Sequence, residues 1–350
     1  MSRLGSEEDY SYDGYLVFNG LYSINVLDPD FDFDEIVNDV LVDFGRGNPE
    51  QPKSGYELLE FGKIVKQSPL MSPDLKQALA DVRSIRHRYE EWETRELRNG
   101  EMEPTREVRS FDLYWDYPDY MFVKGDKTQA SRASQIVNYE LGNYLTSKKI
   151  EFNPDFLLWL FYKEKSSGTV GDKLDISLLS DAAIEGDEED MYGKEVSVDR
   201  STDITKSTNV LSGILRGKDL IGLEGIFNAR GNFVKANIQV GGRVHIKVSQ
   251  DIADVDDLQR MSLALVFLRE LLRLYEEWEE KPGSEKIPPP KFLEEVYEEC
   301  KRQGEEPVFS FDHVVEQYRN KRAQGGQGTN NDKQSGLTSY LEDDNQNGSQ

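Results

Sequence analysis

The chain has few of the residues that usually build catalytic and metal centres. It contains one cysteine, Cys300, and three histidines. A single cysteine excludes an intrachain disulfide and a thiolate metal site. The histidines, His87, His245 and His313, belong to different predicted elements, so we do not expect a histidine-based metal site. A Cys300–His313 dyad would depend on a charged, marginal helix, and we expect Cys300 to be a packing or surface residue.

Long apolar segments are also missing. The longest apolar run, residues 263–268, is far too short to span a bilayer. Residues 1–14 are acidic and contain no apolar stretch, which predicts that the chain has no secretory signal. These two absences predict a cytoplasmic protein with no membrane partner.

Positive charge is the third deficit. The chain carries 42 Lys and Arg against 66 Asp and Glu, a formal net charge of −24. Such a charge disfavours nonspecific binding to DNA, RNA or anionic membranes. Three classes of protein fit it: a halophilic (salt-adapted) protein, a partner of basic proteins and a nucleic-acid mimic. We favour salt adaptation, although the many lysines temper that interpretation.

No catalytic motif compensates for these deficits. The sequence has no GxSxG elbow, no HExxH and no GxGxxG after a strand. The loop at 124–127 separates a predicted strand from a helix, as a P-loop does. A P-loop needs two glycines that frame four residues before its Lys-Ser/Thr pair, and this loop has only one glycine. The sequence therefore identifies neither a reaction nor a cofactor.

The best-defined part of the sequence is the segment 209–247, which predicts four antiparallel strands. Phe227 is expected to pair with Val234 across a turn at Arg230-Gly231, because this register places the alternating apolar residues on one face. The first hairpin is expected to turn at Gly217-Lys218.

The third hairpin is less regular. A two-residue turn at Gly241-Gly242 would place Val240 opposite Arg243 and mix the two faces. A loop that includes Arg243, or a bulge there, pairs Val240 with Val244 and Ile238 with Ile246. We prefer that register.

A long helix follows these strands. Apolar residues between Leu258 and Tyr275 recur at spacings of three and four, which is typical of an amphipathic helix. At ~1.5 Å per residue, the segment from Leu258 to Glu280 spans roughly 34 Å, enough to cross a four-stranded sheet. Pro282-Gly283 is expected to end the helix.

The N-terminal part is predicted to be mostly helical. Residues 14–27 indicate a short hairpin around Asn19-Gly20. One helix is expected from Ser54 to about Lys66. A second is expected from Ser72-Pro73 to Asn99-Gly100, because its apolar residues also recur at spacings of three and four.

These patterns predict an α+β protein with an antiparallel four- to five-stranded sheet covered by a long helix and a mostly helical N-terminal region. The polar, proline-punctuated residues 101–117 are the expected domain boundary. The predicted division is a mostly helical region with a short hairpin (1–105), an α+β core domain (110–281), a proline linker with two short helices (282–323) and a disordered tail (324–350).

The acidic window 181–190 has two interpretations. Asp181, Glu185, Asp187 and Asp190 have the oxygen donors that Ca²⁺ or Mg²⁺ prefers. A disordered acidic insertion is the more common origin of such a window, and we favour it.

The predicted strand register places one set of polar side chains on the side of the sheet away from the helix: Glu224, Lys235, Asn237, Gln239, His245 and Lys247. It places Gln239 beside His245 and Asn237 beside Lys247. These residues form a compact, partly basic face on a strongly acidic protein. An ordinary solvated sheet face and a binding face both fit this pattern.

The sequence therefore predicts a non-enzymatic cytoplasmic binding or adaptor protein that uses this face. A protein is the expected partner, and nucleic acid remains an alternative that the net charge disfavours. The alternative function is a divalent-metal-dependent phosphodiester hydrolase, in which Glu224 acts with acids from 175–190.

Overall fold

The computed structural model of the chain describes residues 3–4, 14–28, 32–33, 40–69, 71–97, 101–186, 195–198, 203–248, 256–303 and 311–323. The strands are β1 (Arg3–Leu4), β2 (Leu16–Val26), β3 (Ser54–Leu59), β4 (Val82–Glu96), β5 (Met102–Asp116), β6 (Tyr120–Lys124), β7 (Leu145–Lys149), β8 (Leu174–Glu185), β9 (Glu195–Val198), β10 (Asp219–Ala229), β11 (Asn232–Gln239) and β12 (Arg243–Lys247). The helices are α1 (Phe61–Gln67), α2 (Pro73–Ala78), α3 (Lys127–Glu140), α4 (Pro154–Ser166), α5 (Thr208–Leu215), α6 (Asp257–Glu280), α7 (Gly283–Lys286), α8 (Pro290–Arg302) and α9 (Phe311–Ala323).

The twelve strands of the described residues form one sheet, in the order β1-β3-β4-β5-β6-β2-β12-β11-β10-β8-β9, with β7 paired beside β2. The pairs are antiparallel except β1–β3. The prediction of a four- to five-stranded sheet with a mostly helical N-terminal region is therefore wrong. The sheet is larger because β2 pairs with both β6 and β12, which joins strands from both halves of the chain. The division into domains stays a prediction, and the proposed tail (324–350) lies outside the described residues.

The N-terminal error comes from β4. The predicted helix does begin at Ser72, whose side chain accepts the Leu75 N–H at 3.3 Å, but it ends at Ala78. The next fifteen residues, Val82–Glu96, form a strand that pairs throughout with β5. The apolar residues of this segment fit the periodicity of a helix and also that of a strand. Pairing with β5 decides that the segment is a strand. The expected boundary at 101–117 is largely the partner strand β5.

The C-terminal half agrees better with the prediction. Phe227 pairs with Val234 as expected, and the turn between them has positive φ at Arg230 (51°) and Gly231 (84°). The long helix is confirmed as α6. The predicted first strand is wrong, because residues 208–215 form α5 and the strand that pairs with β10 on that side is β8.

Helices cover most of the sheet. On one side, α4 and α6 contact β8 and β10 within the larger apolar core. A buried ion pair ties this layer to the sheet, since Arg269 of α6 binds Asp116 of β5 through two nitrogens. On the other side, α3 packs on β2, β6 and β7 and closes a smaller core. Among the described residues, the helices that contact β10 and β11 all belong to the first side.

Candidate functional site

The predicted polar residues do share one side of the sheet. Val234, Ala236 and Ile238 of β11 are fully buried beneath α6, whereas the alternate residues of the strand are half-buried or exposed. We call the uncovered side the polar face and define it by the residues Tyr15, Asp181, Glu224, Phe233, Lys235, Asn237, Gln239, Arg243, His245 and Lys247. It lies on the four strands β8, β10, β11 and β12, with Tyr15 directly before β2.

Glu224 is the centre of the polar contacts. Its Oε1 lies 2.5 Å from Lys235 Nζ on the neighbouring strand. Its Oε2 accepts a hydrogen bond from Asn237 Nδ2 at 3.5 Å. Asn237 Oδ1 in turn accepts from Gln239 Nε2 at 3.1 Å. Four side chains therefore form a continuous row of hydrogen bonds across two strands.

The predicted neighbours on β12 are wrong by two residues. Asn237 pairs with His245, Lys235 with Lys247 and Gln239 with Arg243. The loop is 240–242, whereas we predicted 241–243. Because side chains alternate with a period of two, this shift changes the partners and leaves the face of each residue unchanged. It also adds Arg243 to the polar face.

Two aromatic residues of the polar face were missed. Phe233 is 47% exposed and Tyr15 is 39% exposed. The Tyr15 ring centroid lies 6.0 Å from Lys247 Nζ, at the limit for a cation–π contact. Phe233 shares the alternation of Lys235 and could have been found from it. Tyr15 is adjacent in space only because β2 pairs with β12, which no local pattern indicates.

A groove lies at the β8 end of the polar face. It has a volume of about 380 Å³ and is bordered by Asp181, Glu224, Asn237 and Arg243. Asp181 is directly opposite Glu224 in the β8–β10 pair. Small residues, Gly222 and Ala183, leave this groove open: a Cβ atom added to Gly222 would lie 3.4 Å from the Ala183 Cβ.

The acidic residues that we considered as metal ligands are not all gathered here. Glu185 lines the same groove as Asp181, whereas Asp187 and Asp190 lie outside the described residues. Within the described ranges, no group of three or more His, Cys, Asp or Glu side chains is placed to hold a metal ion.

Electrostatics distinguish the cations of the polar face. The ion pair with Glu224 raises the pKa of Lys235, so this lysine stays charged. Burial lowers the pKa of His245 below 6.5, and Arg243 lowers it further. His245 is therefore neutral at pH 7. Lys235 is offset by Glu224, which leaves Lys247 and Arg243 as the outer cations of the face.

Other candidates have structural roles. Cys300 is fully buried in α8, as a packing residue would be, and the side chain of His313 is not described. The loop at 124–127 is the start of α3, where Asp126 accepts the Gln129 N–H at 2.8 Å. None of the helices in the described ranges is both long enough and apolar enough to cross a membrane.

No protein-family model matches the chain, and no curated protein matches it. The polar face is therefore interpreted from its own chemistry.

Proposed function

We propose that the chain is a non-enzymatic cytoplasmic binding or adaptor protein, and that the polar face contacts a partner protein. One observation carries this proposal. Helices α4 and α6 cover the apolar side of β8 and β10, and α6 also covers that side of β11, whereas no described helix packs on the polar face of β10 and β11.

The side chains of the polar face support an interface. Phe233 and Tyr15 offer exposed aromatic surface, and aromatic residues are enriched at protein interfaces. Lys247 and Arg243 provide positive charge on a chain of net charge −24. The partner segment that complements them carries carboxylates beside apolar residues. A nucleic acid would also offer negative charge, but the acidity of the whole chain repels a polyanion.

The test is affinity capture from the native host, with each sample divided into nuclease-treated and untreated halves. The triple variant Lys235→Ser, His245→Ser and Lys247→Ser should lose a protein that the wild type captures in both halves. A matched variant on α8, Lys291→Ser with Lys301→Ser, should keep that protein. Retention by the triple variant would remove the polar face as the binding surface. Capture in the untreated half alone would indicate that the polar face binds nucleic acid and not a protein.

A divalent-metal-dependent phosphodiester hydrolase remains the second candidate function. The observation in its favour is the position of Asp181 opposite Glu224, which supplies the second acid that this hypothesis needs. Carboxylate oxygens are ligands that Mg²⁺ and Mn²⁺ accept. Thermal unfolding with and without Mn²⁺ tests the idea. A rise in Tm in the wild type that is lost in Asp181→Asn would support it, and an unchanged Tm would count against it.

A further inference from the structure

The hairpin of β4 and β5 extends well beyond the sheet. The two strands pair with each other from Val82–Asp116 to Glu96–Met102. Within β4, only Ser84–Tyr89 pair with β3, and within β5, only Asp112–Asp116 pair with β6. The segments 90–96 and 102–108 therefore have no other strand partner among the described residues. We call these two segments the β-arm.

The base of the β-arm is fixed. Glu90 accepts hydrogen bonds from the Gly47 N–H at 2.9 Å, the Lys53 N–H at 3.0 Å and Arg106 Nε at 2.6 Å. Burial would raise the pKa of Glu90, but these donors outweigh it and lower the pKa to about 2. The arm therefore leaves the sheet in a defined direction, and beyond Trp92 the residues of β4 are exposed.

The two faces of the β-arm differ in chemistry. One face carries Trp92, Thr94, Met102, Pro104 and Val108 around the Glu90–Arg106 pair, with Glu96 opposite Met102 at the tip, and Met102 is 63% exposed. The opposite face is charged and carries Glu91, Glu93, Arg95, Glu103, Thr105 and Glu107. A two-stranded ribbon is marginal on its own, so an apolar row on a ribbon with no further strand partner among the described residues favours a binding partner.

Two occupants fit poorly. A partner strand cannot add along the whole outer edge of β5, because Pro104 has no N–H to donate. A second copy would bury too little surface. The seven residue pairs of the arm, at ~3.4 Å per residue and ~4.8 Å between strands, offer roughly 230 Å² on one face. Contact of one face with a second copy therefore falls well short of the roughly 1,000 Å² of a stable interface, whereas a groove that encloses both faces and the edges of the arm buries more. The net charge of −24 also makes two copies of the chain repel each other.

We infer that the β-arm is a docking element that inserts into an apolar groove of a different, basic protein. The row of Trp92, Pro104 and Met102 enters the groove. The opposite face, with Glu93, Glu103 and their acidic neighbours, meets Lys and Arg side chains on its border. This assignment uses no residue of the polar face, so the arm and the polar face can bind separate partners.

The probe is a short peptide that alternates Lys with Val, measured against the full chain by fluorescence anisotropy. A Lys–Ser peptide controls for charge without apolar contact, and a Glu–Val peptide controls for apolar contact without positive charge. The wild type should bind the Lys–Val peptide at least about fivefold more tightly than either control.

Three variants locate the binding. Met102→Ser should weaken binding of the Lys–Val peptide about fivefold or more. Glu93→Lys with Glu103→Lys should weaken it further, whereas the matched reversal Glu285→Lys with Glu294→Lys, outside the arm, should have little effect. In the third variant, an Asn-Gly turn replaces residues 93–105. Trp92 and Arg106 are directly opposite each other, so a two-residue turn can join them and keep the Glu90–Arg106 contact.

The shortened variant should unfold at the wild-type Tm and lose binding of the Lys–Val peptide. If it unfolds earlier, Met102→Ser still decides, because that side chain is exposed and outside the core. Equal binding of the Lys–Ser peptide, or unchanged binding by Met102→Ser and the charge reversal, would overturn the inference.

Discussion

Lys235 Nζ on β11 lies 2.5 Å from Glu224 Oε1 on the neighbouring strand β10. Helix α6 packs on the other side of these two strands. This pair leaves Glu224 in the interior of the polar face and Lys235 toward its surface, since their side chains are 14% and 38% exposed. It therefore orders the face without neutralising its outer cations, Lys247 and Arg243.

Removing the charge of Glu224 should have a modest effect on stability. Glu224→Gln keeps the hydrogen bond that the side chain accepts from Asn237 and loses the ion pair with Lys235. Because the pair is partly exposed, we expect the free energy of unfolding to fall by about 0.5–1 kcal/mol. Urea unfolding checks this value, with the exposed substitution Glu294→Gln as the control. A loss of several kcal/mol in the free energy of unfolding would show that the row of hydrogen bonds serves mainly to stabilise the fold.

The Asp116–Arg269 pair should behave differently, because both residues are buried. Asp116→Ala leaves the Arg269 guanidinium buried beside α2 with its acid removed. We expect a loss of roughly 3–5 kcal/mol in the free energy of unfolding. The double variant Asp116→Leu with Arg269→Met removes both charges and should recover part of that loss. If the double variant is no more stable than Asp116→Ala, the cost comes from packing and not from the unpaired charge.

His87 predicts a pH dependence of stability. It is buried against Tyr56 and Phe111, with ring centroids 5.0 Å apart in each pair, and its Nδ1 has no hydrogen-bond partner among the described residues. Burial lowers its pKa from 6.5 to about 4, and the neighbouring Arg132 adds to the effect. The unfolded chain thus binds a proton before the folded chain does. Stability is therefore lost as the pH falls from about 6.5 to about 4, by on the order of 3 kcal/mol.

The variant His87→Phe isolates this contribution from the acids that titrate in the same range. Subtracting its unfolding free energies from those of the wild type, pH by pH, should give a difference that changes between pH 6.5 and 4 and is flat above. A difference that is constant across that range would show that His87 does not couple folding to protonation.

Two glycines of β10 should respond in opposite ways to Ala. A Cβ at Gly225 would lie 2.4 Å from the Leu178 carbonyl oxygen, whereas one at Gly222 would lie 3.4 Å from the Ala183 Cβ, the nearest atom. Gly225→Ala should therefore cost about 1–3 kcal/mol through backbone displacement. Gly222→Ala should be neutral or stabilising by up to about 1 kcal/mol, since Ala restricts the unfolded chain. Thermal unfolding of both variants measures this difference. Equal losses of stability would contradict the spacing between β8 and β10 on which the prediction depends.

The sequence was most informative where contacts are local. The hairpin of β10 and β11 and the helix α6 follow from alternation and from a spacing of three and four, and both were predicted. The polar face was predicted for the same reason, because the face of a residue depends only on the parity of its position. The residues of β12 that pair with it were predicted incorrectly. A loop at 240–242 and a loop at 241–243 place the same residues on each face, so the alternation alone does not distinguish them.

Ambiguous periodicity and long-range pairing account for the rest. The apolar residues of 75–92 fit a helix, but within Arg86–Tyr89 half-buried arginines also alternate with buried rings, which fits a strand. Only the fifteen-residue pairing with β5 decides between them. The apolar residues of 210–215 also fit a hairpin with Ile214 opposite Ile221 on a shared face, so the sequence predicts a strand there. In the structure, Val210, Leu211 and Ile214 are buried on one side of a helix.

The most direct test of the polar face is site-specific photocrosslinking in the native host. A photoreactive residue at Phe233 lies on the polar face, and one at Tyr139, which is 90% exposed on α3, is a matched aromatic site away from it. We predict that the Phe233 variant forms a covalent adduct with one partner protein, that the Tyr139 variant does not, and that Lys235→Ser with Lys247→Ser abolishes the adduct. The absence of an adduct at Phe233, or the same adducts at both sites, would contradict the proposal that this face binds a partner.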